Sequence, residues 1–366
     1  MKRALLISSF FVFLFSIVSI AQEMDPAAVE LYNSGNQKLE SNDFTGALAD
    51  YDAALKISQD YRLHYQKGIV FVKQNKFAES IAPLLDAVKA DANCDFCVNT
   101  LAESYFQTGD YTNSIKYYET VAQIGSSDDI KAKAKNRIGD CYEALGDAAL
   151  KADKAAEAVG FYDKAIAINN KSRTQYQKSA ALIKDKKFEE AVVPLQESIK
   201  LDPSCDNCYN NLGRVQLQLK NFEEAVKNFE KVLEVADNAD KKNKANEMLA
   251  LAHTNIGNDF LKAKNNAKAI ESYTKAVSYD NNDVAYLNLA KAYAETGQWD
   301  NVIDAANKAT QFRKKISKGG PYYYLGLAYK NKNMVAQAKT NFTEAQKDSQ
   351  YQAVAKFELD ELNKKK

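Results

Sequence analysis

An all-α fold of stacked helix pairs is predicted for this chain, and three observations predict it. Its 366 residues are 46% hydrophobic and 27% charged, a balance that can bury a substantial core. Only five prolines and fourteen glycines interrupt the chain, and Ala, Lys, Leu, Glu and Asn dominate, which favours helix over sheet. The third observation is internal. Sliding the sequence against itself by 111 residues aligns Gly35, Gly146 and Gly257, Leu39, Leu150 and Leu261, Ala47, Ala158 and Ala269, Tyr51, Tyr162 and Tyr273, and Ala54, Ala165 and Ala276.

The first element is MKRALLISSFFVFLFSIVSIAQ. Lys2 and Arg3 precede an apolar run from Ala4 to Ile20, and Ser19 and Ala21 supply the small residues of a cleavage site. Residues 1–21 are therefore expected to be a secretory signal, with an uncleaved anchor as the other reading, since the run sits at the lower edge of a spanning length. They hold two of the 49 basic residues and none of the 48 acidic ones, so without them the net charge passes from +1 to −1. That balance gives no footprint for nucleic acid, and Lys364-Lys365-Lys366 reads as a solvated tail. No later segment approaches spanning length, so no membrane span is expected after signal removal.

From Asp25-Pro26, an N-cap followed by Pro in the first turn, residues 22–366 read as a single array. Each 111-residue block divides into units with starts near 28, 61, 95, 139, 172, 206, 250, 283 and 319. Each unit reads as two amphipathic helices, with small residues on one facing small residues on the next, joined by turns such as QTGDY (107–111) and ETGQW (295–299). The insertions SSDDIKAKAK (126–135) and ADKKNKANEM (239–248) lengthen the helix that follows to about 25 residues, or roughly 37 Å. They offer a shelf for a partner or pack on the preceding helix. Residues 351–364 close the array as a capping helix, with Val354, Phe357 and Leu362 as its apolar stripe.

The unit resembles the tetratricopeptide repeat. The last copy carries the pattern best, in Tyr322, Leu325, Gly326 and Tyr329, then Ala338, Phe342 and Ala345, with Tyr for the first Trp and Gln350 for the closing Pro. Leu212, Gly213, Ala225 and Phe229 keep it in another copy, and Pro203 closes a third. The resemblance covers roughly residues 26–353 and implies an α-solenoid of about nine stacked helix-turn-helix repeats, in which each pair buries its apolar face only against its neighbours.

Five cysteines raise the question of chemistry. NCDFC (93–97) and SCDNC (204–208) fall in the 111-residue register, so Cys94 and Cys97, and Cys205 and Cys208, are copies. Three repeats separate the pairs, which makes convergence on one metal ion implausible. Within each pair the cysteines are candidate disulfide partners across one turn. A thiol-redox or metal-handling role stays open as the alternative, although the βαβ context of thiol oxidoreductases is missing. Cys141 reads as a buried apolar residue. His64 and His253 lie in different blocks without a nucleophile, and no Gly-rich phosphate loop occurs, so neither catalysis nor a cofactor is expected.

The resemblance implies a protein or peptide ligand in the concave groove, and therefore a non-enzymatic scaffold, exported to the periplasm or beyond, for assembly or maintenance of an envelope complex. The family's groove positions fall on Tyr32 and Asn36, Tyr65 and Ile69, Asn99 and Glu103, Tyr176, Asn210 and Arg214, Asn258, and Tyr323. The Lys and Asn set with which some members clamp a terminal carboxylate is incomplete, with Asn36 present and Tyr32 in the place of Lys, so an internal or extended segment is expected. Tyr and Asn suit that task, the ring supplying area at low entropic cost and the amide pairing with a peptide backbone. The competing reading is that Tyr65 and Tyr176 match through duplication and pack between helices.

Overall fold

The computed structural model describes residues 24–364, so the expected signal at 1–21 lies outside the described residues. Nineteen helices and no strand occur among the described residues. In chain order they begin α1 (Pro26–Glu40), α2 (Phe44–Leu55), α3 (Tyr61–Lys73), α4 (Phe77–Ala90), α5 (Asp95–Gln107) and α6 (Tyr111–Ile124). Then follow α7 (Asp128–Lys151), α8 (Ala155–Ile168), α9 (Ser172–Lys184), α10 (Phe188–Leu201), α11 (Asp206–Gln218) and α12 (Phe222–Val235). The last are α13 (Ala239–Lys262), α14 (Asn266–Tyr279), α15 (Asp283–Glu295), α16 (Trp299–Gln311), α17 (Gly319–Asn331), α18 (Val335–Gln346) and α19 (Gln352–Lys364). Asp25 caps α1 by accepting the Ala27 N–H, with Pro26 at the first helical position.

The chain divides into two compact units, 1–141 and 142–366, with the division inside α7. In each, successive helices pack as antiparallel neighbours, and first helices also touch the next first helix, as α1 touches α3 and α13 touches α15. This is an all-α repeat solenoid. One residue with positive φ sits in the turn inside every pair: Asn42, Asn75, Gly109, Asp153, Lys186, Lys220, Lys264, Gly297 and Asn333. Both insertions are helical, in helices α7 and α13 of 24 residues each. In α13 the added turns pack on the preceding helix, where Ala245 is buried with Val232 and Ala236.

Two expectations are corrected. Small residues of the first helix do not face small residues of the second. The glycines of the first helices face a large side chain there (Tyr51, Leu84, Tyr162, Phe229, Tyr273 or Phe342), and a Cβ added at Gly146 would lie 2.5 Å from Tyr162 Cε1. In those pairs the side chain fits against bare backbone, and burying it contributes about 1.5–3 kcal/mol of transfer free energy. In α19 the buried stripe is Ala355, Leu359 and Leu362, whereas Val354 and Phe357 are exposed at 45% and 63%. Both triplets carry apolar residues at helical spacing; the face turned inward packs with Ala338, Phe342 and Ala345 of α18, and Glu358 of the same helix pairs with Lys330 on α17.

Candidate functional site

The site is built from the first helix of each pair, and its side chains are oriented by the second. A buried ring sixteen residues after a small first-helix residue (Gly35, Ala102, Gly146 or Gly257) puts its hydroxyl in a low-dielectric place where it needs a partner. The partner lies fifteen residues earlier. Tyr51 donates to Asn36 Oδ1 (2.7 Å), Tyr118 to Glu103 (2.6 Å), Tyr162 to Asp147 (2.7 Å) and Tyr273 to Asn258 Oδ1 (2.8 Å). Burial pushes all four phenols well above their usual range. In the other five repeats the ring position holds Leu84, Leu195, Phe229, Ala306 or Phe342, and fifteen residues earlier stand Ile69, Ala180, Arg214, Lys291 and Leu327. None of those side chains offers an acceptor, so hydroxyl and acceptor occur together or not at all.

A second set of bonds joins consecutive first helices. Gln66 donates to the Tyr32 hydroxyl (3.4 Å), Gln177 to Asp147 (2.6 Å) and Asn288 to Asn258 Oδ1 (2.9 Å). These three amides are related by the 111-residue register. On α9, Arg173 pairs with Glu143 (3.0 Å) of α7. In the first unit Arg137 of α7 forms an ion pair with Glu103 of α5 and reaches the Tyr118 hydroxyl (3.4 Å). Burial alone would raise the Glu103 carboxyl, but hydrogen bonds from Arg137, Tyr118 and Gln107 outweigh it and hold the group below its ordinary value.

Within the first unit, Asn36 is occupied as an acceptor, and the Tyr32 ring tilts against Tyr51 at 6.4 Å. Tyr65 meets Phe96 edge-on at 4.9 Å beside Cys94 and Cys97, and Asn99 is exposed. Within the second unit, the Tyr176 hydroxyl accepts from Asn211 (3.3 Å) while its side chain packs against the core cluster that contains Leu182, Leu195 and Leu212. Asn210 is half-buried, Arg214 is exposed, and Tyr323 belongs to a ring cluster with Tyr324, Phe342 and Tyr351. Asn258 lines a cleft of about 290 Å³ with Leu261, Lys262, Asn288, Lys291 and Glu295. The bridging amides Gln66, Gln177 and Asn288 escaped the sequence reading, although their shared register was the signal that marks them.

Each cysteine pair is a disulfide, with S–S 1.99 Å for Cys94–Cys97 and 1.95 Å for Cys205–Cys208. Cys94 and Cys205 are the N-caps of α5 and α11, and their sulfurs accept the N–H of Cys97 (3.3 Å) and Cys208 (3.2 Å). The intervening aspartates act as straps, Asp95 accepting the Ser126 N–H (2.8 Å) and Asp206 pairing with Lys241 (2.6 Å). Cys141 is a buried free thiol beside the Ser114 hydroxyl (3.3 Å), pushed up in pKa by burial. Among the described residues no cluster of three or more His, Cys, Asp or Glu is placed to hold a metal ion, and no helix is long and apolar enough to cross a membrane.

Family models described as tetratricopeptide repeat match residues 32–93 and 254–316, 98–124, and 206–282, together more than half of the chain. A model described as anaphase-promoting complex, cyclosome, subunit 3 matches residues 151–232. The chain is similar to an Hsp70-Hsp90 organizing protein of Triticum aestivum, 23% identical over 296 residues, covering 81% of this chain and 48% of that protein. It is also similar to a TPR repeat-containing protein of Methanocaldococcus jannaschii, 25% identical over 288 residues, covering 78% of this chain and 43% of that protein. The chain thus spans less than half the length of either relative. A solved tetratricopeptide repeat protein from Parabacteroides merdae is 17% identical, with 73% of this chain and 99% of that one covered at a TM-score of 0.34. With repeat-family models matching more than half of its length, the chain belongs to the tetratricopeptide repeat family.

Proposed function

We propose that this chain is an exported, non-catalytic scaffold that holds an extended segment of a protein partner on the face of its first helices. One observation carries the reading. Asn36 and Asn258 turn their oxygens inward to tyrosine hydroxyls, and Asn258 accepts a second bond from Asn288. Each amide is then left with its NH2 to donate outward, held in orientation before any ligand arrives, as recognition of peptide carbonyls requires. The organizing role in the printed name of the Triticum aestivum relative supports a protein partner, and the charged, apolar and small-residue order of residues 2–21 supports export. Disulfides suit an oxidising compartment. Burial of Cys94, Cys97 and Cys208 counts against a thiol-exchange role, because exchange needs an accessible sulfur.

The test is a peptide array probed with the mature chain and with a variant in which Tyr65, Asn99, Tyr176 and Asn210 are changed together to Ala. Selective capture of particular segments, weakened in the variant at a temperature where circular dichroism shows both proteins folded, is the expected result; because Tyr65 and Tyr176 pack on neighbouring side chains, a lowered melting temperature is expected with it. Capture that survives the four changes removes this face from the reading. Intact mass of the protein recovered from its host tests export, and a retained N-terminus would refute cleavage.

A further inference from the structure

The 111-residue register also exposes where the copies diverge. In the middle block, Lys164 lies over the rings of Tyr142 (5.2 Å) and Phe161 (5.8 Å) on the outer side of α7 and α8. The matching residues of the last block are His253, Ser272 and Lys275. Two large rings have become an imidazole and a hydroxymethyl group, and a cleft of about 420 Å³ opens there between α12, α13 and α14. That volume lies within the range of small-molecule sites. It is separate from the first-helix face, because its walls include the second helices α12 and α14.

Three features make it a site and not a packing gap. Its floor is apolar, from Val226, Ile256 and Phe260. Lys268 lies at its edge over the Phe260 ring (5.3 Å), without an ion pair among the described residues. His253 is only 9% exposed, stacks on Tyr279 (5.7 Å) and lines the cleft, and no hydrogen bond to its ring occurs among the described residues. Neither ring nitrogen is among the fully buried, unpaired polar atoms, so the imidazole keeps access to the cleft, where a ligand group can accept its N–H. Burial and the Lys275 charge hold its pKa down, so the ring is neutral at pH 7 and carries one N–H.

We infer that the cleft between α12, α13 and α14 binds a small organic anion, an apolar ring- or chain-shaped body on Val226, Ile256 and Phe260 with its carboxylate toward His253 and Lys268. Glu271 is already paired with Lys275 (2.9 Å), and Glu223 stands at the rim on α12, where it selects against a second negative charge on the ligand.

The fluorescent anion anilinonaphthalene sulfonate is the probe, titrated into the full mature chain with naphthoate as competitor. One saturable site is expected, displaced by naphthoate and weakened about tenfold or more in the variant His253→Tyr with Ser272→Phe, which restores the middle block's own pair. Because that pair is already accommodated in the homologous copy, the variant should melt no lower than the parent. Lys268→Gln, at an exposed position, should weaken the site with the cleft still open. Absence of a saturable site, or binding undiminished from the parent in both the filled variant and Lys268→Gln, overturns the inference. If the filled variant unfolds early, the Lys268→Gln titration decides alone.

Discussion

Replacing Tyr162 by Phe removes one oxygen and leaves the ring on Gly146 in place, so the measured change reports the hydroxyl bond to Asp147. Hydrogen bonds to charged groups contribute about 1.5–3 kcal/mol and neutral ones about 0.5–1.5 kcal/mol. Asp147 keeps the bond from Gln177 (2.6 Å) and its side chain is 32% exposed, so water replaces part of the loss. A cost of about 1.5 kcal/mol follows for Tyr162→Phe. Tyr273→Phe leaves Asn258 satisfied by Asn288 and should cost about 0.5–1 kcal/mol, and Tyr51→Phe about the same. The converse change, Phe229→Tyr, inserts a hydroxyl fifteen residues after Arg214, a donor, and should destabilise by about 1–3 kcal/mol. Urea denaturation followed by circular dichroism ranks the variants, and hydrogen exchange in the affected pair localises the effect, since neighbouring repeats need not unfold together. Equal costs for Tyr162→Phe and Tyr273→Phe, or a stabilising Phe229→Tyr, would refute the pairing of hydroxyl with acceptor.

Two further changes follow from the same geometry. The carboxyl of Glu103 is held below its ordinary value of 4.5, so the stability it supplies is complete above that pH and is lost as pH falls through the lower folded value; Glu103→Gln should flatten this acid limb, and an unchanged acid midpoint would contradict it. In the turns, Lys186 and Lys220 hold φ of 60° and 61°, where a side chain costs more than glycine does, so Lys186→Gly and Lys220→Gly should each stabilise by about 0.5–1 kcal/mol, and a lowered melting temperature for both would count against it.

The fold was legible because duplication repeats every signal three times. Gly35, Gly146 and Gly257 together with Tyr51, Tyr162 and Tyr273 mark helix pairs that no single copy would have established. What faces what was not legible. Glycine against a ring and glycine against a small residue obey the same periodicity, and only the three-dimensional contact separates them. The capping helix shows the same limit, since one step of about 100° along a helix exchanges Phe357 for its neighbour Glu358, and the side chains that the helix meets, Phe342 and Lys330 among them, lie far away in sequence. For the site, Asn36 and Asn258 were recognisable from family positions, but their orientation depends on tyrosines fifteen residues away, on another helix. Asp95 and Asp206 carry no local signal of their straps, since their partners Ser126 and Lys241 lie 31 and 35 residues downstream.

The register of 111 residues has a meaning for the gene as well as for the protein. A crossover between two copies that joins the codon of Gly146 to that of Asn258 splices the start of α7 to the end of α13. The glycine that receives the ring of Tyr273, the acceptor Asn258 and its bridge to Asn288 all survive the splice. Recombination can therefore shorten or lengthen this array by whole blocks while keeping this set of contacts, and the reach of the array becomes a trait that selection can adjust in a single step.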